Sequence, residues 1–292
     1  LKSKILFLTT PTNDCNNHVR AFRSFAPAEH LIMRTKGIRV DGHIVKQVRD
    51  VNPDVIFYIS ANQGPCALKW RTLVDLKTIS KTINLCSDAM DRPWHGVLDL
   101  YKKHSCFDLQ ASIDGSRYEA MDLAALTPVD PTYYSNDVDK DIRCGFSGSV
   151  GTSGQRAMII NSLEWFGNLT IRLRTLKKGY EDHVNFLKRC KMILNTSWTG
   201  TGHAHHIKGR VLEAGWARCA LLESHSSPIG EWFSEDCYFT WRSAKEAAEI
   251  IHDASDKEVA EKAKRLAEEV RERFTPKQIY GKMLSLIGVE GE

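Results

Sequence analysis

Short runs of residues that are apolar on both faces recur along this chain in the rhythm of a parallel sheet. Lys4-Ile5-Leu6-Phe7-Leu8-Thr9, Asp54-Val55-Ile56-Phe57-Tyr58-Ile59, Thr82-Ile83-Asn84-Leu85-Cys86 and Phe107 to Ile113 are runs of this kind in the first half. A strand with one wet face alternates apolar and polar residues. A run without alternation is covered on both sides, which requires helices above and below the sheet. The intervening segments supply them. His18 to Phe22, the stripe Ile44, Val45 and Val48 that stops at Asn52-Pro53, and Thr72 to Ser80 all read as helices. This alternation predicts an α/β chain with doubly wound parallel sheets.

The pattern lapses between about Ala124 and Asp141, through Thr127-Pro128-Val129-Asp130-Pro131 and a charged stretch, and then restarts. Ile142 to Phe146, Leu169 to Leu173 and Lys191 to Asn195 read as strands, with helices over Arg156 to Trp165 and Tyr180 to Cys190. The tail holds two helices, the later with Val259, Ala263, Leu266, Val270 and Phe274 on one stripe. At 292 residues the chain exceeds the usual size of one compact core. The expected organisation is a first α/β domain over 1–125, a linker over 126–141, a second α/β domain over 142–274, and a closing helix over 275–292 with room to return to the first domain.

Composition narrows the function classes. The net charge is +4 and no dense basic stripe interrupts the sequence, so nucleic acid is an open acceptor but not the default partner. Eight cysteines are scattered without CxxC spacing, against a cysteine zinc site or a redox pair, and several sit in apolar runs as reduced core residues. No apolar run is long enough to span a membrane, and no signal-like segment precedes the first strand. A reducing, cytoplasmic setting is expected.

Ligands of an open parallel sheet gather beyond the carboxyl ends of its strands, and three segments of the second half fall there. Ser147-Gly148-Ser149 opens a glycine-rich stretch to Gly154, which either brings backbone N–H groups close to a phosphate or is a plain turn. Asn195-Thr196-Ser197-Trp198 ends a buried strand on polar groups. Lys208, Arg210 and Glu213 stand at the start of a small apolar helix that runs into Cys219-Ala220-Leu221-Leu222. Cations beside a helix start suit a diphosphate, and a carboxylate one turn on suits a ribose diol. The plainer reading is an amphipathic helix with a solvated basic end. His203, His205 and His206 look like a metal cluster, but no carboxylate or cysteine stands beside them at ligand spacing. A loop flanking the ligand is expected there, with no metal and no cofactor. In the first half, His18 is a candidate base or acceptor contact. Asp88 is a candidate for orienting acceptor hydroxyls, or else a cap on the following turn.

From about Ile142 to Leu284 the chain resembles the nucleotide-binding domain of group 1 glycosyltransferases with the two-domain GT-B fold. It is most similar to their short, spore-maturation-protein-like branch. The likeness lies in Gly145-Phe146-Ser147-Gly148-Ser149, Arg156, the run Tyr180 to Ser197, the run Arg210 to Leu222, and the helical tail Phe239 to Phe274. It is weaker in the first half, at Pro53-Asp54-Val55-Ile56 and Ser87-Asp88. The resemblance implies two Rossmann-like domains facing across a cleft. It also implies metal-independent transfer of a sugar from a nucleotide-diphosphate donor, with uridine diphosphate as the expected carrier, to an acceptor hydroxyl. On that reading Glu213 takes the ribose, while Lys208, Arg210, Gly148 and Ser149 take the diphosphate. Asn195, Ser197, His205 and His206 border the donor, and His18 and Asp88 serve the acceptor.

The chain departs from the family at His205, where the wider family carries a glutamate, and at Arg218-Cys219, where a glycine commonly follows the helix. The acceptor (a saccharide, a small molecule or a nucleic-acid base), the sugar and the stereochemical outcome are not legible in the residues. A nucleotide-sugar epimerase and a non-catalytic binding module on the same scaffold are the rival readings. A DNA-modifying glycosyltransferase is a variant of the first.

Overall fold

The structure is a computed structural model that describes residues 2–33, 40–60, 67–136, 138–150, 154–166, 169–173, 179–199 and 201–289. The chain forms two compact units, one of Leu1–Asp130 with Pro276–Glu292, the other of Pro131–Thr275.

In the first unit the apolar runs become β1 (Ile5–Thr9), β3 (Val55–Ile59), β4 (Lys81–Cys86) and β5 (Leu109–Ser112). Helices α1 (Asn13–Arg23), α2 (Val40–Val51), α3 (Trp70–Lys77) and α4 (Arg92–Lys103) alternate with them. Two further strands, β2 (Glu29–Ile32) and β6 (Leu123–Ala124), have no apolar run to announce them: they are short and only partly covered. The six strands are all parallel, in the order β2-β1-β3-β4-β5-β6. The last helix, α10 (Pro276–Leu286), belongs to this unit. Its Tyr280 is fully buried against Phe7, Phe22 and Phe57, with ring centroids 5.1–6.0 Å away, and its hydroxyl donates to the His18 carbonyl at 3.1 Å. Edge-to-face packing of this kind is worth more than its area alone.

The second unit repeats the plan. It contains β7 (Ile142–Gly148), α5 (Gln155–Trp165), β8 (Thr170–Leu173), α6 (Tyr180–Arg189), β9 (Cys190–Leu194), α7 (Arg210–Trp216), β10 (Ala220–Ser224) and β11 (Tyr238–Trp241). The strand order is β11-β10-β9-β7-β8, again all parallel. In both sheets the order of connection reverses beside the first strand, between β1 and β3 and between β7 and β9. The tail adds one strand, β11, to the expected helices. It holds β11 and three helices, α8 (Ala244–Asp253), α9 (Asp256–Arg273) and α10, because Ser255 caps a new helix through its hydroxyl and the Glu258 N–H, and Pro276 starts another. The glycine-rich stretch also differs. It is strand as far as Gly148, and Gly151, Thr152 and Ser153 lie outside the described residues. Among the described residues no helix is long and apolar enough to cross a membrane.

The end of the sheet where β7, β9 and β10 begin is closed by Lys140. Its ammonium donates to the carbonyls of Lys188, Cys190 and Ala217 at 3.1, 2.8 and 3.0 Å. These carbonyls stand at the ends of α6 and α7, where a cation also opposes the helix dipoles. α7 approaches α9 closely because Gly215 has no side chain: a Cβ there would lie 2.5 Å from Val270 Cγ2. The helix then stops on Arg218, which takes a left-handed φ of 54° while the Cys219 N–H reaches back to the Ala214 carbonyl at 2.9 Å. A glycine is the usual residue at such a stop, so the departure at Arg218 is one of side chain and not of backbone shape.

Opposite outcomes follow for two neighbouring changes. Gly215→Ala overpacks the helix contact and costs about 1–3 kcal/mol. Arg218→Gly removes a left-handed penalty and gains on the order of 1 kcal/mol. Urea unfolding of the two variants checks both signs; equal destabilisation by both would contradict this account.

Candidate functional site

The reversal of strand order between β7 and β9 opens a crevice at their carboxyl ends, the place where such sheets take ligands. Parallel β-α connection also brings the first turns of α6 and α7 to that edge. Four of the residues singled out by sequence, Gly148, Asn195, Arg210 and Glu213, meet there.

Arg210 is the hub. Its guanidinium lies over the Phe146 ring at 5.0 Å, and Nη1 donates to Asn195 Oδ1 at 3.1 Å. It can lie so low because position 148 is glycine, with φ at 151° and no side chain: a Cβ would stand 2.6 Å from Arg210 Nη2. Its Nε has no hydrogen-bond partner among the described residues. Burial presses the Arg210 pKa down, and Glu213 and Glu223 oppose that; the group stays a cation. Asn195 passes the interaction on, donating from Nδ2 to Glu223 Oε2 at 2.6 Å, while the Ser224 N–H donates to Oε1 at 3.0 Å. Glu223 is fully buried. Burial pushes its carboxyl up to about 7, against the opposing pull of Asn195, Ser224, Arg210 and Lys208.

Glu213 is held one turn further along α7. Oε1 accepts from the Tyr180 hydroxyl at 3.1 Å and Oε2 from His183 Nε2 at 3.0 Å, with the glutamate side chain 15% exposed. Tyr180 and His183 stand three apart in the first turn of α6, on one face. The far nitrogen of His183, Nδ1, is 2.8 Å from the Ser147 hydroxyl on β7. Burial alone would raise the Glu213 pKa. The charge and hydrogen bond of His183, with Arg210 and Tyr180, outweigh it and hold the carboxyl below its ordinary value. The group is an ionised acceptor at neutral pH.

The residues beyond β9 form a tight return. The His205 ring packs on Trp198 at 4.0 Å, its Nδ1 is 2.6 Å from the Ser197 hydroxyl, and the His206 N–H donates to the Ser197 carbonyl. Arg156 reaches from α5 to the Trp198 carbonyl at 2.7 Å. The His205 pKa is lowered by burial and by His206. Of the other candidates, Lys208 is half-buried and near enough to Glu223 to act on its carboxyl, and Ser149 is exposed beside Gly148.

In the first unit, His18 lies inside α1, only 5% exposed, with Nδ1 3.3 Å from the Tyr280 hydroxyl. Asp88 follows β4 at a left-handed φ of 59° and is half-buried. A cavity of about 470 Å³ in the second unit lies at the opposite, amino end of the strands, between Lys140, Lys191, Arg218 and α9. Its cations are engaged: Lys140 with carbonyls, Lys191 with Asp256 at 3.0 Å, and Lys264 with Glu268 at 3.8 Å.

Three participants were not singled out by sequence. Tyr180 and His183 carry a signal only in retrospect, as two polar aromatic residues at helical spacing just where a helix begins. Glu223 had a plainer one: it is the sole charge in the apolar strand Ala220-Leu221-Leu222-Glu223-Ser224.

Residues 143–285 match the sequence model of a family described as glycosyl transferase-like. No curated protein matches the chain by sequence. Among solved structures, Anabaena HepE in complex with UDP and glucose is 13% identical with a TM-score of 0.66, over 97% of this chain and 98% of that one. A glycosyltransferase from Rickettsia africae is 9% identical with a TM-score of 0.65, over 98% of each chain. An α-glucosyltransferase in complex with UDP-glucose and DNA containing an abasic site is 10% identical with a TM-score of 0.66, over 98% of this chain and 99% of that one. These likenesses show the fold: two Rossmann-like domains of the GT-B kind, as the sequence resemblance implied.

The raised carboxyl of Glu223 has a stability consequence of definite sign. Between the ordinary value of 4.5 and about 7, the folded chain holds a proton that the unfolded chain has released. The stabilisation is complete below about 4.5 and is lost as pH rises through about 7. Glu223→Gln therefore flattens the fall in unfolding free energy between pH 5 and pH 8, estimated at about those limits by denaturant titration. An unchanged slope would contradict the assignment.

Proposed function

We propose that the chain, a glycosyltransferase of the GT-B architecture, moves a sugar from a uridine-diphosphate sugar to an acceptor hydroxyl, with the donor held by the second unit. The observation that carries this is the pairing, at one switch point, of an ionised carboxylate and a half-buried guanidinium, neither of which the fold itself requires. Glu213 takes the ribose diol. Arg210 and Lys208 take the diphosphate, with the backbone at Gly148 and Ser149 close enough to approach it. Uridine diphosphate as carrier is supported by HepE and the α-glucosyltransferase, both described with it. The run Arg210 to Leu222 supports the spore-maturation-protein-like branch within the wider family.

The chemistry follows from charge. As the sugar–oxygen bond breaks, negative charge builds on the departing diphosphate and the sugar becomes oxocarbenium-like. Fixed cations in a partly desolvated site stabilise that charge without reorganising, an effect commonly worth about 10²–10³ in rate per group. On this reading Arg210 and Lys208 fill the role that a metal fills elsewhere, and the enzyme needs no cofactor beyond its donor. Asn195, Ser197 and His206 shape the donor loop. His205, with its pKa pressed down, is neutral at neutral pH. It holds the transferred sugar by hydrogen bonding, where the wider family's glutamate would add negative charge.

The acceptor is served from the first unit by His18 and Asp88, of which Asp88 is the more accessible. The seven described cysteines are all free and buried, which supports a reducing, cytoplasmic setting; Cys66 lies outside the described residues. One observation favours a narrower acceptor: the α-glucosyltransferase with the same fold is described bound to DNA. Duplex binding that falls steeply with salt would support a nucleic-acid acceptor, and its absence would favour a saccharide or small molecule.

A thermal-shift screen against nucleotide diphosphates and their sugars tests the reading, since a ligand of the folded state raises the melting temperature by mass action. UDP-sugars should give the largest shifts. Glu213→Ala and Arg210→Ala should each weaken donor binding about tenfold to a hundredfold, the worth of a charge-assisted contact, and Gly148→Ala should do the same by displacing Arg210. Unchanged donor turnover in both Glu213→Ala and Arg210→Ala would refute the assignment.

A further inference from the structure

We propose that His183 and Tyr180 are positioning residues that lock the Glu213 carboxylate in one plane, and thereby make the site select a donor with an intact ribose diol over its deoxyribose counterpart. The proposal rests on the ribose role of Glu213 given above.

A glutamate side chain has several rotatable bonds, and a carboxylate that must face two adjacent hydroxyls loses most of its advantage if it turns. Here each oxygen is pinned separately, Oε1 by Tyr180 at 3.1 Å and Oε2 by His183 at 3.0 Å. One donor on each oxygen leaves acceptor capacity on both. Two vicinal hydroxyls, both donors, are the natural complement.

The proton order is determined by what each group can do. An ionised carboxylate only accepts, so the single Tyr180 hydroxyl proton goes to Glu213, and His183 carries a proton on Nε2. Tyr134, 3.3 Å from the Tyr180 oxygen, must then be the donor in that contact, and burial raises its pKa so that it keeps its proton. On the other arm, His183 Nδ1 lies 2.8 Å from the Ser147 hydroxyl. The protons of Tyr134, Tyr180 and His183 Nε2 all point toward the carboxylate. The ring is held from three elements, α6, α7 and β7, so its orientation is a property of the packed unit. A donor lacking one ribose hydroxyl would leave one fixed oxygen of a carboxylate only 15% exposed short of a partner. A site built around a hydroxyl rejects the analogue without it far more strongly than an apolar pocket can.

The test is calorimetric titration of the full chain with UDP, 2′-deoxy-UDP and 3′-deoxy-UDP, read as the ratio of affinities. The wild type should prefer UDP by about tenfold to a hundredfold over each analogue. Glu213→Ala should abolish the preference; if it keeps the wild-type ratio, the ribose reading itself fails. With that control in place, His183→Phe should bind UDP with the preference reduced to about threefold or less. His183→Gln, which keeps an N–H donor near the Nε2 position, should restore part of it. A merely structural role would weaken UDP and its analogues alike and leave the ratio unchanged, which overturns the proposal. Tyr180→Phe removes one oxygen and little packing, and should also lower the ratio. A wild-type ratio in Tyr180→Phe overturns the proposal even where His183→Phe fails to fold.

Discussion

Charge placed inside a sheet edge is the constraint on which the second unit depends. Arg210 is half-buried at the end of β7, and two carboxylates, Glu213 and Glu223, lie within its influence. Burying ions in this way contributes little to stability, because desolvation consumes most of the attraction. The surroundings are instead arranged to make it tolerable. Phe146 lies under the guanidinium, Asn195 bridges Arg210 to Glu223, and Tyr180 and His183 satisfy Glu213. A fold that needed only a core would fill these positions with apolar residues. Their retention, with a glycine at 148 to make room, marks the place where stability yields to binding.

The same topology divides the unit into two ends with different tasks. Parallel strands joined by helices put every strand's carboxyl end and the following helix's first turn on one edge, and the last turns on the other. At the first edge the groups are poised toward a ligand. At the second, Lys140 closes the helix carbonyls and Arg218 ends α7 at a left-handed φ of 54°. The close contact at Gly215 couples the two ends, since it fixes the helix that carries Arg210 and Glu213 against α9.

Much of this was legible in the sequence, and for physical reasons. Strands covered on both faces have no alternation, so β1, β3, β4, β7 and β9 could be read directly, and the turn to polar residues at Asn195 and Arg210 marked where the ligand edge begins. What escaped was whatever lacked that contrast. β2 is an edge strand with a partly exposed, polar sequence, and β11 is hidden among aromatic residues that fit a helical tail as well. Gly148 looked like loop because glycine marks turns more often than strand ends. Tyr180 and His183 escaped because their importance is wholly tertiary: only the packing of α6 beside α7 brings them to Glu213. His18 shows the converse, a polar residue whose place in α1 is set by contact with Tyr280 from the far end of the chain.

The central claim is that a nucleotide diphosphate is gripped at the β7–β9 switch point of the second unit. Amide hydrogen exchange with and without UDP tests it most directly, because it reports where the chain is shielded without requiring turnover. Protection should concentrate at residues 145–150, 180–184, 195–199 and 206–214, with residues 218–224 and the Lys140 end unaffected. Protection confined to the first unit, or none at saturating UDP, would contradict it.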